Sequence, residues 1–223
     1  HEFFHIQTPL NFHSEEIGHF DFQKPKMSRH LWLYEGLTEY AAHHTQLQGG
    51  LTTIKQFMES MTEKVNRAND DYNDKLAFTK LSLGALDKHK DEYGNVYQKG
   101  ALIGFCLDLL LRKETNGTYG TQQMMRDLAA QYGPTQSFKD KELFMLIEKT
   151  TKVPAVKEFF ARYVSKGEKL PLKEFASFIG LELGESIPGN NTITYGYLNS
   201  IEFRELKNPS PSQLKMRQAW LHF

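Results

Sequence analysis

The chain has 223 residues, 39% of them hydrophobic and 13% aromatic, which is enough for one large core or two small ones and too apolar for a disordered tract. Lys+Arg and Asp+Glu stand at 27 each, so no overall field draws the chain to nucleic acid or to an anionic membrane. No apolar run approaches the ~20 residues that span a bilayer, and the one cysteine, Cys106, excludes an intrachain disulfide and reads as a small buried side chain.

The chain opens on His1-Glu2-Phe3-Phe4-His5. Positions i and i+4 share a helix face, so two imidazoles can hold one metal ion, with a carboxylate beside them to take a proton from water. Zinc held in this way needs a third protein ligand and an open position. The competing role is an amphipathic helix with surface histidines. Phe3 and Phe4 argue instead for a buried helix, where paired polar groups need a partner such as a metal. A helix carrying such a motif is expected to begin upstream, because first-turn residues fray, so the chain reads as a piece of a longer protein. Any targeting segment is expected in that upstream part.

Residues 1–7 read as the end of the metal helix, stopped near Pro9. Residues 8–30, with Pro9, Gly18 and Pro25 and no sustained period, read as a long loop. A helix is predicted from Leu31 to about Gln48, ended by Gly49-Gly50. Within it Glu35 is the candidate third ligand, surrounded by Trp32, Leu33, Leu37 and Tyr40, with Gly36 permitting a close backbone approach. Its competing role is a partly buried ion pair. Glu39, one turn on, is a candidate acceptor that orients a ligand imidazole, or a surface carboxylate. His43 and His44, and His13, His19 and His30 in the loop, read as solvent-facing or packing residues.

Thr52 or Thr53 is expected to cap a helix carrying Ile54, Phe57, Met58, Met61 and Val65. Asn69 to Asp74 lacks the later Gly and Glu of a calcium loop and reads as a solvated break. Residues 76–95 read as irregular. A strong helix is predicted from Val96 to about Lys113, closed by Asn116-Gly117. Amphipathic segments follow at 121–132, 138–150 and 154–166, then a short helix to about Phe178 ended by Gly180. Residues 192–197 and 201–206 alternate with period two and predict a hairpin, with a short terminal segment after Pro209 and Pro211. The expected architecture is mainly α, a helical bundle with a small β-hairpin near the C-terminus, divided into 1–183 and an extension 184–223.

Three motifs together, His1-Glu2-Phe3-Phe4-His5, Leu31-Trp32-Leu33-Tyr34-Glu35-Gly36-Leu37-Thr38-Glu39-Tyr40 and Tyr97-Gln98-Lys99-Gly100, resemble the gluzincin zinc metallopeptidases. Within that group the likeness is to the glycyl aminopeptidases, family sixty-one of the metallopeptidases. Phe159 to Gly167, followed by Leu170-Pro171, is similar to the end of that family's catalytic domain, so the likeness runs from residue 1 to about 183. The resemblance implies the α-helical half of a thermolysin-like catalytic domain. It implies one zinc ion and a peptide substrate from which N-terminal residues, small ones such as Gly or Ala, are released. It also implies His1, His5 and Glu35 as ligands, Glu2 as general base and Tyr97 as donor to the tetrahedral oxyanion. Without the family, Tyr97 reads as a core aromatic at a helix start.

The family carries a β-rich part upstream, expected here as a partner domain of the same protein. It also tends to carry a PDZ-like domain downstream, for which residues 185–223 are too short. Export to a bacterial periplasm is an expectation at family level only, and the sequence leaves the oligomeric state open. Two other functions stay open: an endopeptidase with the same zinc machinery, and a catalytically inactive helical scaffold or binding domain.

Overall fold

In the computed structural model, which describes residues 1–186 and 200–222, the opening motif lies on a single 3-10 turn, Glu2–Ile6, and not on an α-helix. A segment of one turn closes through i→i+3 bonds, Phe4 N–H to His1 C=O and Gln7 N–H to Phe4 C=O, both at 2.9 Å. Phe3 is 76% exposed and Phe4 only partly buried, which corrects the expectation of a buried helix. The following loop holds one helical turn, α1 (Glu15–Gly18). It is tied down by Phe12, fully buried and stacked on Phe138 at 4.5 Å, and by Ser14 N–H, which donates to the Tyr34 hydroxyl at 2.9 Å.

The helix expected from Leu31 forms, but its first part, Trp32–Gly36, is wound as a π-turn before α2 (Leu37–Gln48) begins. Trp32, Leu33, Tyr34 and Gly36 are all buried, so protein encloses this turn on nearly every side. At the far end of α2, Gly50 takes φ +69°, the left-handed conformation that a glycine accepts without strain. Thr53 and Gln56 form a capping box on α3 (Ile54–Asp70). Residues 76–95 are more ordered than the sequence suggested. They hold α4 (Phe78–Leu83) and a 3-10 turn, Lys90–Glu92, with Phe78 and Leu81 fully buried. Two anchors three residues apart are too few to register as a period.

The central helix is α5 (Asn95–Glu114), in which every residue from Lys99 to Arg112 is buried. The π-turn, α2 and α3 all pack on it. Around this centre lie α6 (Thr121–Tyr132), α7 (Leu143–Thr151), α8 (Ala155–Phe159) running into a second π-turn (Phe160–Ser165), and α9 (Leu172–Ser177). Phe144 and Phe160 stack at 4.4 Å, and Trp32 packs on Phe160 at 5.1 Å, fastening the first π-turn to this half of the bundle.

The hairpin pairs β1 (Leu181–Glu185) with β2 (Ile201–Glu205), antiparallel, with Leu183 opposite Phe203. The run at 201–206 thus forms a strand as expected, with 181–185 as its partner; the run at 192–197 lies outside the described residues. Phe203 packs on Phe105 of α5 at 5.8 Å, and its N–H donates to Thr62 of α3 at 2.9 Å. Residue 183, the expected division, falls within β1. The terminal segment is α10 (Pro211–Leu221), whose Trp220 is fully buried and donates through Nε1 to the Tyr40 hydroxyl at 3.0 Å. Below it, buried Asp108 accepts from Tyr40 at 2.9 Å, Arg112 at 3.0 Å and the Thr121 N–H at 2.7 Å. The fold is mainly α with a small antiparallel hairpin. No described helix is long and apolar enough to cross a membrane.

Candidate metal centre

The first turn and the first π-turn bring residues distant in sequence to one point. The rings of His1 and His5 meet edge to face, with centroids 4.9 Å apart. Each ring has its Nδ1 beside an acceptor: Glu39 Oε2 lies 2.7 Å from His1 Nδ1, and the Thr8 carbonyl lies 3.0 Å from His5 Nδ1. Both rings therefore turn Nε2 toward the same atom, Glu35 Oε2, at 3.2 Å from His1 and 3.8 Å from His5. Glu2 is exposed, and one ligating atom from each of His1, Glu2 and His5 fits within 4.8 Å of the others.

Glu35 reaches this point because its neighbours are held in the core while its own side chain stays 20% exposed. Burial pushes its carboxyl above the ordinary range, and the His5 ring and Tyr97 phenol pull it down by less. A carboxylate that burial disfavours in this way gains from a nearby cation. Glu39 carries the opposite balance. Burial raises it, but the hydrogen bond from His43 and the ammonium of Lys64 outweigh burial and hold it down to about 2. Its Oε1 lies 2.7 Å from Lys64 Nζ and 3.2 Å from His43 Nε2. Glu39 is therefore an enclosed, ionised acceptor and not a surface carboxylate.

Tyr97 sits at the start of α5, with its ring 5.6 Å from that of His1 and 6.0 Å from that of Tyr93. Burial, together with Tyr93 and Glu35, pushes its phenol up, so it remains an O–H donor at neutral pH. A glycine crossing sets its position relative to Glu35. A Cβ on Gly36 would come 2.5 Å from the Gly100 backbone, and one on Gly100 would come 2.7 Å from Gly36 Cα. Only two glycines let the π-turn and α5 approach this closely.

Two imidazole nitrogens and a carboxylate oxygen, with both Nδ1 positions beside acceptors, are a donor set of the kind found in catalytic zinc sites. Sequence reasoning missed Lys64 and His43. His43 lies four residues after Glu39, a spacing that could have revealed it. Lys64 lies seven residues after Phe57, so a lysine within an apolar stripe was the available signal. His30 and His44 are buried packing residues away from the site. Behind the motif, Phe4, Thr8, Leu37, Thr38 and Met125 help to enclose a cavity of about 100 Å³, in whose wall neither His1 nor Glu35 takes part.

Residues 1–103 match the family described as M61 glycyl aminopeptidase, a little under half of the chain. No curated protein matches. A crystal structure of an aminopeptidase N family protein from Idiomarina loihiensis is similar, with a TM-score of 0.76 at 21% identity. The likeness covers 86% of this chain and 34% of that one, so this chain spans about a third of its length. At that identity the likeness shows the fold alone. Over residues 1–103, which hold His1, Glu2, His5, Glu35, Glu39 and Tyr97, the chain resembles the M61 glycyl aminopeptidases.

Proposed function

We propose that the chain carries the catalytic half of a zinc-dependent peptidase that releases N-terminal residues, small ones such as Gly or Ala, from peptides. The observation that supports this most is the convergence of two Nε2 atoms on one oxygen of Glu35, each ring held by an acceptor at its Nδ1. The aminopeptidase reading draws on the family match. Residues 1 to about 180 would form the catalytic part, with the hairpin and α10 packed upon it.

His1, His5 and Glu35 would hold the ion. When bound, zinc supplies Lewis acidity that polarises a scissile carbonyl and lowers the pKa of water toward ~7. Glu2 takes a proton from the attacking water and delivers it to the leaving amine. The Tyr97 phenol donates to the developing oxyanion, a contribution of ~2.7–4 kcal/mol where comparable donors have been removed from other enzymes. Glu39 holds the Nδ1–H of His1, which keeps Nε2 as the free, more basic nitrogen.

Hydrolysis of a panel of small aminoacyl peptides, each with a free or an acetylated N-terminus, tests the reading. Cleavage of free-amine peptides only is the expected result. Equal cleavage of the acetylated set would replace the aminopeptidase with an endopeptidase, and no cleavage of either together with no bound zinc would leave a scaffold.

A further inference from the structure

Lys64 is hidden where a lysine is costly. It lies on α3 between Met61 and Val65, and its side chain is 9% exposed. An ammonium removed from water destabilises the fold unless an anion meets it. The carboxylate that meets it is Glu39, at 2.7 Å. The contacts of Glu39 are divided between its two oxygens. Oε1 takes Lys64 and, at the longer distance of 3.2 Å, His43; Oε2 faces His1 Nδ1 at 2.7 Å. A free carboxylate can exchange its oxygens by rotation, whereas one anchored at Oε1 by a buried charge presents Oε2 in a single direction.

We propose that Lys64 is a positioning residue for the metal centre: its buried ammonium fixes Glu39, and Glu39 in turn fixes the tautomer and tilt of the His1 ring. The relay runs across three elements, from α3 through α2 to the first turn, and so makes the ligand geometry depend on how α3 is seated. His43, 29% exposed, is the weaker second anchor on the same oxygen. This inference rests on the zinc reading above for its consequence and on the ion pair alone for its geometry.

Lys64→Met, Lys64→Arg, Glu39→Gln and the double variant Lys64→Met/Glu39→Gln separate these claims. Zinc affinity is measured by competition with a chromophoric chelator, at a temperature where each variant is folded. Lys64→Met is expected to weaken zinc binding about tenfold, the lower end of the range for partners of metal-ligating histidines. Lys64→Arg is expected to restore most of that loss, and the double variant to bind no more weakly than Glu39→Gln alone. Nitrogen-15 shifts of the His1 ring in the metal-free chain read the relay directly: a fixed Nδ1–H form in the parent, and a tautomer mixture in Lys64→Met.

If Lys64→Met does not fold, Lys64→Gln takes its place, retaining a donor without the charge. Unchanged zinc affinity with unchanged His1 shifts would overturn the role of Lys64 while leaving the zinc site intact. Absence of zinc binding in the parent chain would overturn the zinc reading, and the His1 shifts would still decide whether Lys64 holds Glu39.

Discussion

Gly36→Ala tests whether the site is set by the crossing of the π-turn over α5. The new Cβ would lie 2.5 Å from Gly100 Cα and carbonyl carbon and 2.7 Å from its oxygen. Ordinary contact begins at 3.4 Å, so the two backbones must separate by close to an ångström. No side-chain rotation relieves a clash of backbone on backbone. Overpacking of this kind costs ~1–3 kcal/mol, against ~1 kcal/mol recovered because alanine favours a helix more than glycine. The net expectation is a loss of up to about 2 kcal/mol, seen as a lower urea midpoint with unchanged slope. Because the π-turn carries Glu35, the shift moves its carboxylate relative to the His1 and His5 rings, and zinc affinity is expected to fall as well, by about tenfold or more. Gly50→Ala is the control. Its Cβ meets nothing within 4 Å, but φ is +69°, so it is expected to cost about 1 kcal/mol of backbone strain and to leave zinc binding alone. A Gly36→Ala chain as stable as its parent, binding zinc as tightly, would refute the reasoning.

Three further outcomes are expected. Asp108→Ala leaves the Arg112 guanidinium buried without its carboxylate and is expected to cost about 3–5 kcal/mol, measured by urea denaturation; a loss below about 1 kcal/mol would mean the network contributes little. Burial pushes His44 and His30 each down to about 4, against 6.5 in the unfolded chain. The unfolded state therefore binds protons first as pH falls, so this stability is present above about 6.5 and lost toward about 4, by up to ~3 kcal/mol for each histidine. A urea midpoint that stays flat between pH 7 and pH 4.5 would contradict their burial as neutral rings. Glu2→Gln is expected to retain zinc and to lose turnover by ~10²–10⁴, the usual contribution of a general base; undiminished turnover would remove Glu2 from the chemistry.

The three proposed ligands, His1, His5 and Glu35, were legible in the sequence, because an i, i+4 histidine pair and an acidic residue embedded in apolar neighbours are local patterns. The sequence carried α2, α3, α5 and α6 for the same reason, with capping and glycine signals at their ends. Its limits are also physical. The π-turn at Trp32–Gly36 is a tertiary outcome, since burial of Trp32, Leu33, Tyr34 and Gly36 together exceeds what a regular amphipathic turn specifies. The strand at 181–185 has Gly184 in its middle and follows a left-handed Gly180, so local propensity hid it, and only pairing with 201–205 forms it. The apolar stripe around Lys64 could mark it as buried, but not as a site residue, because its partner is 25 positions away on another helix. Phe3 misled in the other direction: an apolar side chain near a ligand argued for a buried helix, yet a single turn has too few contacts to cover it.

The most direct test of the central claim is zinc-edge X-ray absorption on the zinc-loaded chain. The account predicts one zinc per chain, two imidazoles at ~2.0–2.1 Å and oxygen ligands with no sulfur. His5→Gln should lose one imidazole, and Glu35→Gln should bind zinc more weakly. A spectrum without paired imidazoles on the zinc, or one unchanged by both substitutions, would contradict it.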